Sequence, residues 1–140
     1  MKYMLIMRST AAAEAAAADV DFEQIINAMG AYNESMMKAG VLLGGEGLAP
    51  PEEGFVVAFG DGEPVVSDGP YGEIHEMFNG FWLLQVSSRE EAEAWATRCP
   101  LGPGTKLEVR RVTSEEDFAD YADNEYLQKE AGWREELGTQ

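Results

Sequence analysis

The chain has 140 residues and a mass of 15.3 kDa, the size of one domain. Its 45% hydrophobic content is enough for a packed core, and 26% charged residues do not make a disordered chain. Twenty-six acidic residues against 10 basic ones leave a formal net charge of −16. Binding to phosphate backbones depends on Lys and Arg displacing counterions, so no nucleic-acid partner is expected. The same balance disfavours docking to an anionic membrane face. One cysteine excludes an internal disulfide framework and a multi-Cys zinc site, and one histidine excludes any site in one chain that needs two.

The N-terminus reads Met1-Lys2-Tyr3-Met4-Leu5-Ile6-Met7-Arg8. Its apolar stretch is too short for a signal-peptide core or a membrane span, and the Ala-rich run after it carries Glu14 and Asp19. With the lone Cys99, a cytoplasmic location is the expectation.

Residues 2–7 predict a short buried strand. Residues 9–18 favour helix through alanine but show no apolar stripe, so a loop or a weak helical turn is expected. Asp19 or Asp21 offers an N-cap for a helix near 20–39. Along it Phe22, Ile25, Ile26, Met29, Tyr32, Met36 and Met37 recur at three- and four-residue steps, one apolar helical face. Gly40 suits the left-handed position past the helix end. Val41-Leu42-Leu43 is apolar, and Gly44 to Pro51 reads as a glycine- and proline-rich loop.

Residues 55–59 and 64–67 form a predicted hairpin around Asp61-Gly62, with Pro64 placing the second arm at an edge. Asp68-Gly69-Pro70-Tyr71-Gly72 predicts a turn. Residues 79–86 are the most strand-like in the chain, with Phe81 and Trp82 on opposite faces. Ser88 with Glu91 predicts a capping box opening a helix near 89–98, which Pro100 stops. Lys106 to Val112 alternates as a last strand. The order is β-α-β-β-α-β, the split βαβ or ferredoxin-like α+β arrangement. Two helices on one side leave the other sheet face partly bare, and a second copy is its simplest cover. Residues 113–140 carry nine acidic residues and two basic ones, with Phe118, Tyr121, Tyr126, Leu127, Trp133 and Leu137 spread among them. That aromatic content predicts an acidic C-terminal extension of one or two helices packed on the body or on a partner subunit. The expected division is a domain over 1–112 and the extension over 113–140.

The stretch from Asp68 to Val86 begins Asp-Gly-Pro-Tyr-Gly-Glu-Ile-His-Glu and ends in a Gly80-Phe81-Trp82 strand. It resembles the DGPF branch of the YCII-related family, whose signature is Asp-Gly-Pro-Phe-Ala-Glu-Thr-Lys-Glu followed by a Gly-aromatic-aromatic strand. The opening Met-Lys-Tyr-Met-Leu-Ile, the Gly44 to Pro50 loop and the closing Leu107 to Val112 fit as well, so the resemblance covers about residues 1–112. It implies a ferredoxin-like domain that dimerises through its sheets, as in dimeric α/β barrels, in a bacterial cytoplasmic protein of unassigned biochemical role. Some relatives are linked to sigma factors. Some are proposed to use a His–Asp pair whose His lies on the first helix; here Ala28-Met29-Gly30-Ala31-Tyr32 has none, so that pair does not carry over.

Several residues are candidates for chemistry. His75 is the one imidazole of the chain, the side-chain type that ordinarily moves protons near neutrality, and has Asp68, Glu73 and Glu76 close in sequence, so a carboxylate partner would make it an acid/base group. The plain alternative is a polar His bonded to the backbone. Asp68 opens a turn, where Asp ordinarily binds backbone amides, or else faces a pocket. Gly45 and Glu46 lie in the glycine-rich segment, where the backbone can approach a ligand closely, although no phosphate-loop pattern is present. Tyr71 and Glu73 complete the expected ligand-binding set across a cleft from Glu46 and Gly45. Glu46, Asp68 and His75 have the donor types of a carboxylate–imidazole metal site but no ligand spacing, and no metal is expected. No cofactor motif is visible, so no cofactor is expected. Cys99 reads as an inert, half-buried thiol. Two functions remain. One is a homodimer that binds a small polar metabolite, or a regulatory protein partner, in the cleft. The other is an enzyme in which His75 moves a proton and Asp68 or Glu73 orients it.

Overall fold

A computed structural model describes residues 1–69 and 75–138. Tyr71 and Glu73 lie outside them. The described chain is a mixed α+β fold built on one four-stranded antiparallel sheet. Its strands are β1 (Lys2–Ser9), β2 (Leu42–Gly47), β5 (Met77–Gln85) and β6 (Lys106–Arg111), in the spatial order β2-β5-β1-β6. Helices α2 (Phe22–Lys38) and α3 (Arg89–Thr97) make the two crossovers, which is the ferredoxin-like connection. A second, two-stranded sheet pairs β3 (Phe55–Ala58) with β4 (Val65–Asp68).

The helices start where side-chain oxygens can satisfy free N–H groups. The Asp21 carboxylate accepts from the N–H of Glu23 and caps α2. The Thr10 hydroxyl accepts from the N–H of Ala13 and opens a further helix, α1 (Ala11–Ala17), where a loop or a weak turn was the expectation. The alanine run therefore folds once its cap is in place, and Ala13 is buried. At α3 only half of the expected capping box forms. The N–H of Glu91 donates to the Ser88 hydroxyl, but the Glu91 carboxylate accepts from the N–H and hydroxyl of Ser87, one residue further back. Those bonds hold the Glu91 carboxyl below its usual range.

The glycine-rich segment is the main correction to the expected fold. Residues 44–47 are not a loop: they belong to β2, an edge strand of the main sheet, paired with Gly80 to Leu83 of β5. Glycine is a poor strand former, so only this tertiary pairing reveals the strand. The hairpin expected to supply sheet strands is instead a separate ribbon inserted between β2 and β5.

The core lies between the sheet and its helices. Tyr3, Leu5, Tyr32, Met36, Trp82 and Leu84 are its main members, with Leu5, Met36 and Leu84 sealed completely. Tyr32 meets the Trp82 ring edge-on at 5.6 Å and donates its hydroxyl to the Trp95 carbonyl at 2.8 Å. Burial holds that hydroxyl well above the usual tyrosine range. Only part of the apolar stripe on α2 is used, since Phe22, Ile26 and Met37 are exposed. The opposite sheet face takes Met4, Ile6, Phe81 and Leu83 by alternation; Ile6 is buried and the other three are half-buried. After β6 the chain forms a 3-10 segment (Glu115–Tyr121) and α4 (Glu125–Leu137), neither with a buried residue. Arg111 clasps Asp117 through two bonds of 2.9 and 2.6 Å, the link that fixes the start of this extension.

Candidate functional site

Between α2 and the edge of the sheet lies a trough of about 300 Å³. Its floor is made by missing side chains. Gly45 and Gly47 share the face of β2 that Trp82 occupies on β5, and Gly80 lies across from Gly47. An ideal Cβ on Gly45 would meet the Phe81 carbonyl at 2.8 Å and the Trp82 ring at 3.1 Å. One on Gly80 would meet the Glu46 carbonyl at 2.8 Å. Glycine is therefore required at both positions by the close approach of the two strands. At Gly47 an added Cβ would meet nothing within 4 Å, so that space belongs to the trough.

The walls come from Met29 and Asn33 on α2, Met7 on β1 and the Trp82 indole. Met29 and Asn33 are four residues apart and so lie on one helical face. The Asn33 side-chain carbonyl accepts from the Trp82 ring N–H at 2.8 Å, which fixes both groups. The two N–H donors of the same amide take no part in that bond. Glu46 completes the lining at the open edge as its one ionisable group; its register partner is Phe81, on the sheet face away from α2. Thioethers, an indole and an amide with N–H donors to spare suit the binding of an apolar body with one acceptor group.

The structure brings Gly45 and Glu46 to this trough and leaves Asp68 and His75 out of its lining. Asp68 ends β4 opposite Phe55, and the N–H of the following Gly69 donates to the Gly54 carbonyl. His75 is exposed just before β5. Its neighbour Glu76 turns to the other half of the sheet, where it pairs with Arg8 and, at 3.0 Å, with Lys106. The expected cleft runs along the Asp68–Glu76 stretch, of which residues 70–74 lie outside the described residues; the trough is roofed by α2. Among those residues no three His, Cys, Asp or Glu side chains are grouped to hold a metal ion. Cys99 is half-buried, and desolvation pushes its thiol up to about 11.

Met7, Met29, Asn33, Gly47, Gly80 and Trp82 escaped the sequence reading as site residues. The signals were present but unpaired: glycines two apart at 45 and 47, and an amide four residues after Met29. Only the strand register joins them.

The fold and the trough define an antiparallel α+β domain of ferredoxin-like topology, with a hollow between the first crossover helix and an edge strand stripped of side chains. The family model of the YCII-related domain matches residues 1–116, and the chain belongs to that family. No curated protein matches it. Among the described residues no helix is long and apolar enough to cross a membrane.

Proposed function

We propose that this chain is a homodimeric binding protein of the cytoplasm, from the DGPF branch of its family, that holds a small metabolite in the trough. The observation that carries the reading is the glycine floor. Three glycines in register open a concavity beside a fixed Asn33–Trp82 pair, in a sheet that side chains would otherwise fill. The ligand would have an apolar body against Met29 and Trp82 and one group that accepts hydrogen bonds from the Asn33 amide. The dimer is supported by the half-buried Met4, Phe81 and Leu83 on the face opposite the trough, which a second copy would cover. The trough is on the other side of the sheet and stays open in such a pair. Acid/base chemistry at His75 and Asp68 is not the reading carried forward, since neither residue lines the trough.

A metabolite screen by thermal shift tests the site. A ligand at a hundred times its Kd adds about 2.7 kcal/mol of stability. Hits on the natural chain should lose their shift in Gly47→Val, which fills the trough where nothing is displaced. Hits that stabilise both proteins equally would place binding elsewhere. Light scattering should give a mass about twice 15.3 kDa.

A further inference from the structure

The β3–β4 ribbon is an exposed element with no use in the reading above. A lone two-stranded ribbon is marginal in water. This one is apolar on both faces: Phe55, Val57 and Val66 share one, and Val56, Ala58 and Val65 share the other. Phe55, Val65 and Val66 are each at least 60% exposed, and among the described residues the ribbon makes no more than slight contact with other elements. A strand pair with two apolar faces belongs in an interface.

Charge identifies the occupant. Residues 52–68 hold Glu52, Glu53, Asp61, Glu63 and Asp68 and no Lys or Arg, so this arm is repelled by most of a chain of net charge −16. The exception is the β1–β6 half of the sheet. Lys2, Arg8, Lys106, Arg110 and Arg111 are there, half of the 10 basic residues in the chain. Arg8 is held by Glu76 and Glu108, Lys106 by Glu76, and Arg111 by Asp117. Lys2 has no ion pair among those described, and Arg110 approaches only Glu108, at 3.9 Å. Both project from the sheet face opposite the trough, since Arg110 is opposite Met4 and Lys2 is two residues before it. That cationic corner therefore sits on the face the proposed dimer would bury.

We infer that the β3–β4 ribbon is an arm that docks on a second copy of this chain, with the acidic tip at Asp61 and Glu63 against Lys2 and Arg110 of the other copy. The inference rests on the homodimer proposed above and says which surfaces complete it. Two-fold symmetry makes the exchange reciprocal, one arm from each chain.

A charge swap tests it by sedimentation velocity on the full chain. One variant carries Asp61→Lys and Glu63→Lys; the other carries Lys2→Glu and Arg110→Glu. Asp61, Glu63 and Arg110 are exposed and Lys2 is half-buried, and circular dichroism checks that each variant folds. Each variant alone should dimerise about tenfold more weakly than the natural chain. A one-to-one mixture should recover the natural affinity, because both arms of the mixed dimer then meet opposite charge. Two variants that each dimerise like the natural chain would overturn the arm and leave the dimer standing. The same holds for weakened variants that mixing does not rescue, and both outcomes send the arm to a different, basic partner. A natural chain that stays monomeric at every concentration would overturn the arm and the dimer together.

Discussion

The main sheet and the β3–β4 ribbon use the same kind of residue and meet opposite fates. Leu5, Leu84 and Trp82 are enclosed by α2 and α3, while Phe55, Val65 and Val66 stay in water. Both have alternating apolar strands and well-formed ladders. What separates them is whether a crossover helix lies over the strand. Strand propensity makes a ribbon, and a covering layer makes a core.

The largest test of that contrast is truncation on either side. Leu84→Ala opens a cavity in the sealed core and should cost about 2–5 kcal/mol in denaturant unfolding. Val66→Thr on the ribbon, at concentrations where the chain is monomeric, should stay within about 0.5 kcal/mol. A ribbon substitution as costly as Leu84→Ala would show that the ribbon shares the core after all. The glycines sharpen the same comparison inside the sheet. Gly80→Ala forces a Cβ against the Glu46 carbonyl and should lose about 1–3 kcal/mol. Gly47→Ala meets open space and should gain up to about 1 kcal/mol through a stiffer unfolded chain. Ser88→Ala removes the cap of α3 and should cost about 1 kcal/mol, read by the same unfolding assay.

The smallest effect belongs to the extension, and it depends on pH. Arg111 and the backbone N–H of Ser114 hold the Asp117 carboxyl well below the usual carboxylate range. A depressed pKa in the folded state means that this clasp stabilises above the ordinary value of about 4 and weakens as pH falls below it. Limited proteolysis with an acid-tolerant protease should therefore cut residues 118–138 faster at pH 3 than at pH 6, before the core unfolds. Asp117→Asn should cut equally fast at both.

Local signals were the legible ones. Asp21, Ser88 and Asp61-Gly62 announce two helices and a turn through contacts within a few residues, and the structure has all three. The family and its α+β fold were legible from residues 1–112 for the same reason, as a run of short motifs in order. Position in the sheet was not. Gly44 to Gly47 carry no strand propensity of their own, and their pairing to Gly80–Leu83 spans more than thirty residues. The trough stayed hidden with them, because it exists only where Gly45, Gly47 and Gly80 come into register beneath Met29 and Asn33. The helix over the alanine run was hidden for the converse reason. It has a cap and a propensity but no stripe for a periodicity to reveal.

The two outer strands of the main sheet end in different ways. On β2 the register slips between Leu42 and Gly44, and on β6 Lys106, Arg110 and Arg111 crowd six residues with charge. A slipped border and a charged border both refuse another strand alongside. Growth into a continuous ribbon of molecules is disfavoured at either margin. That restriction favours assemblies of fixed number over open-ended fibres.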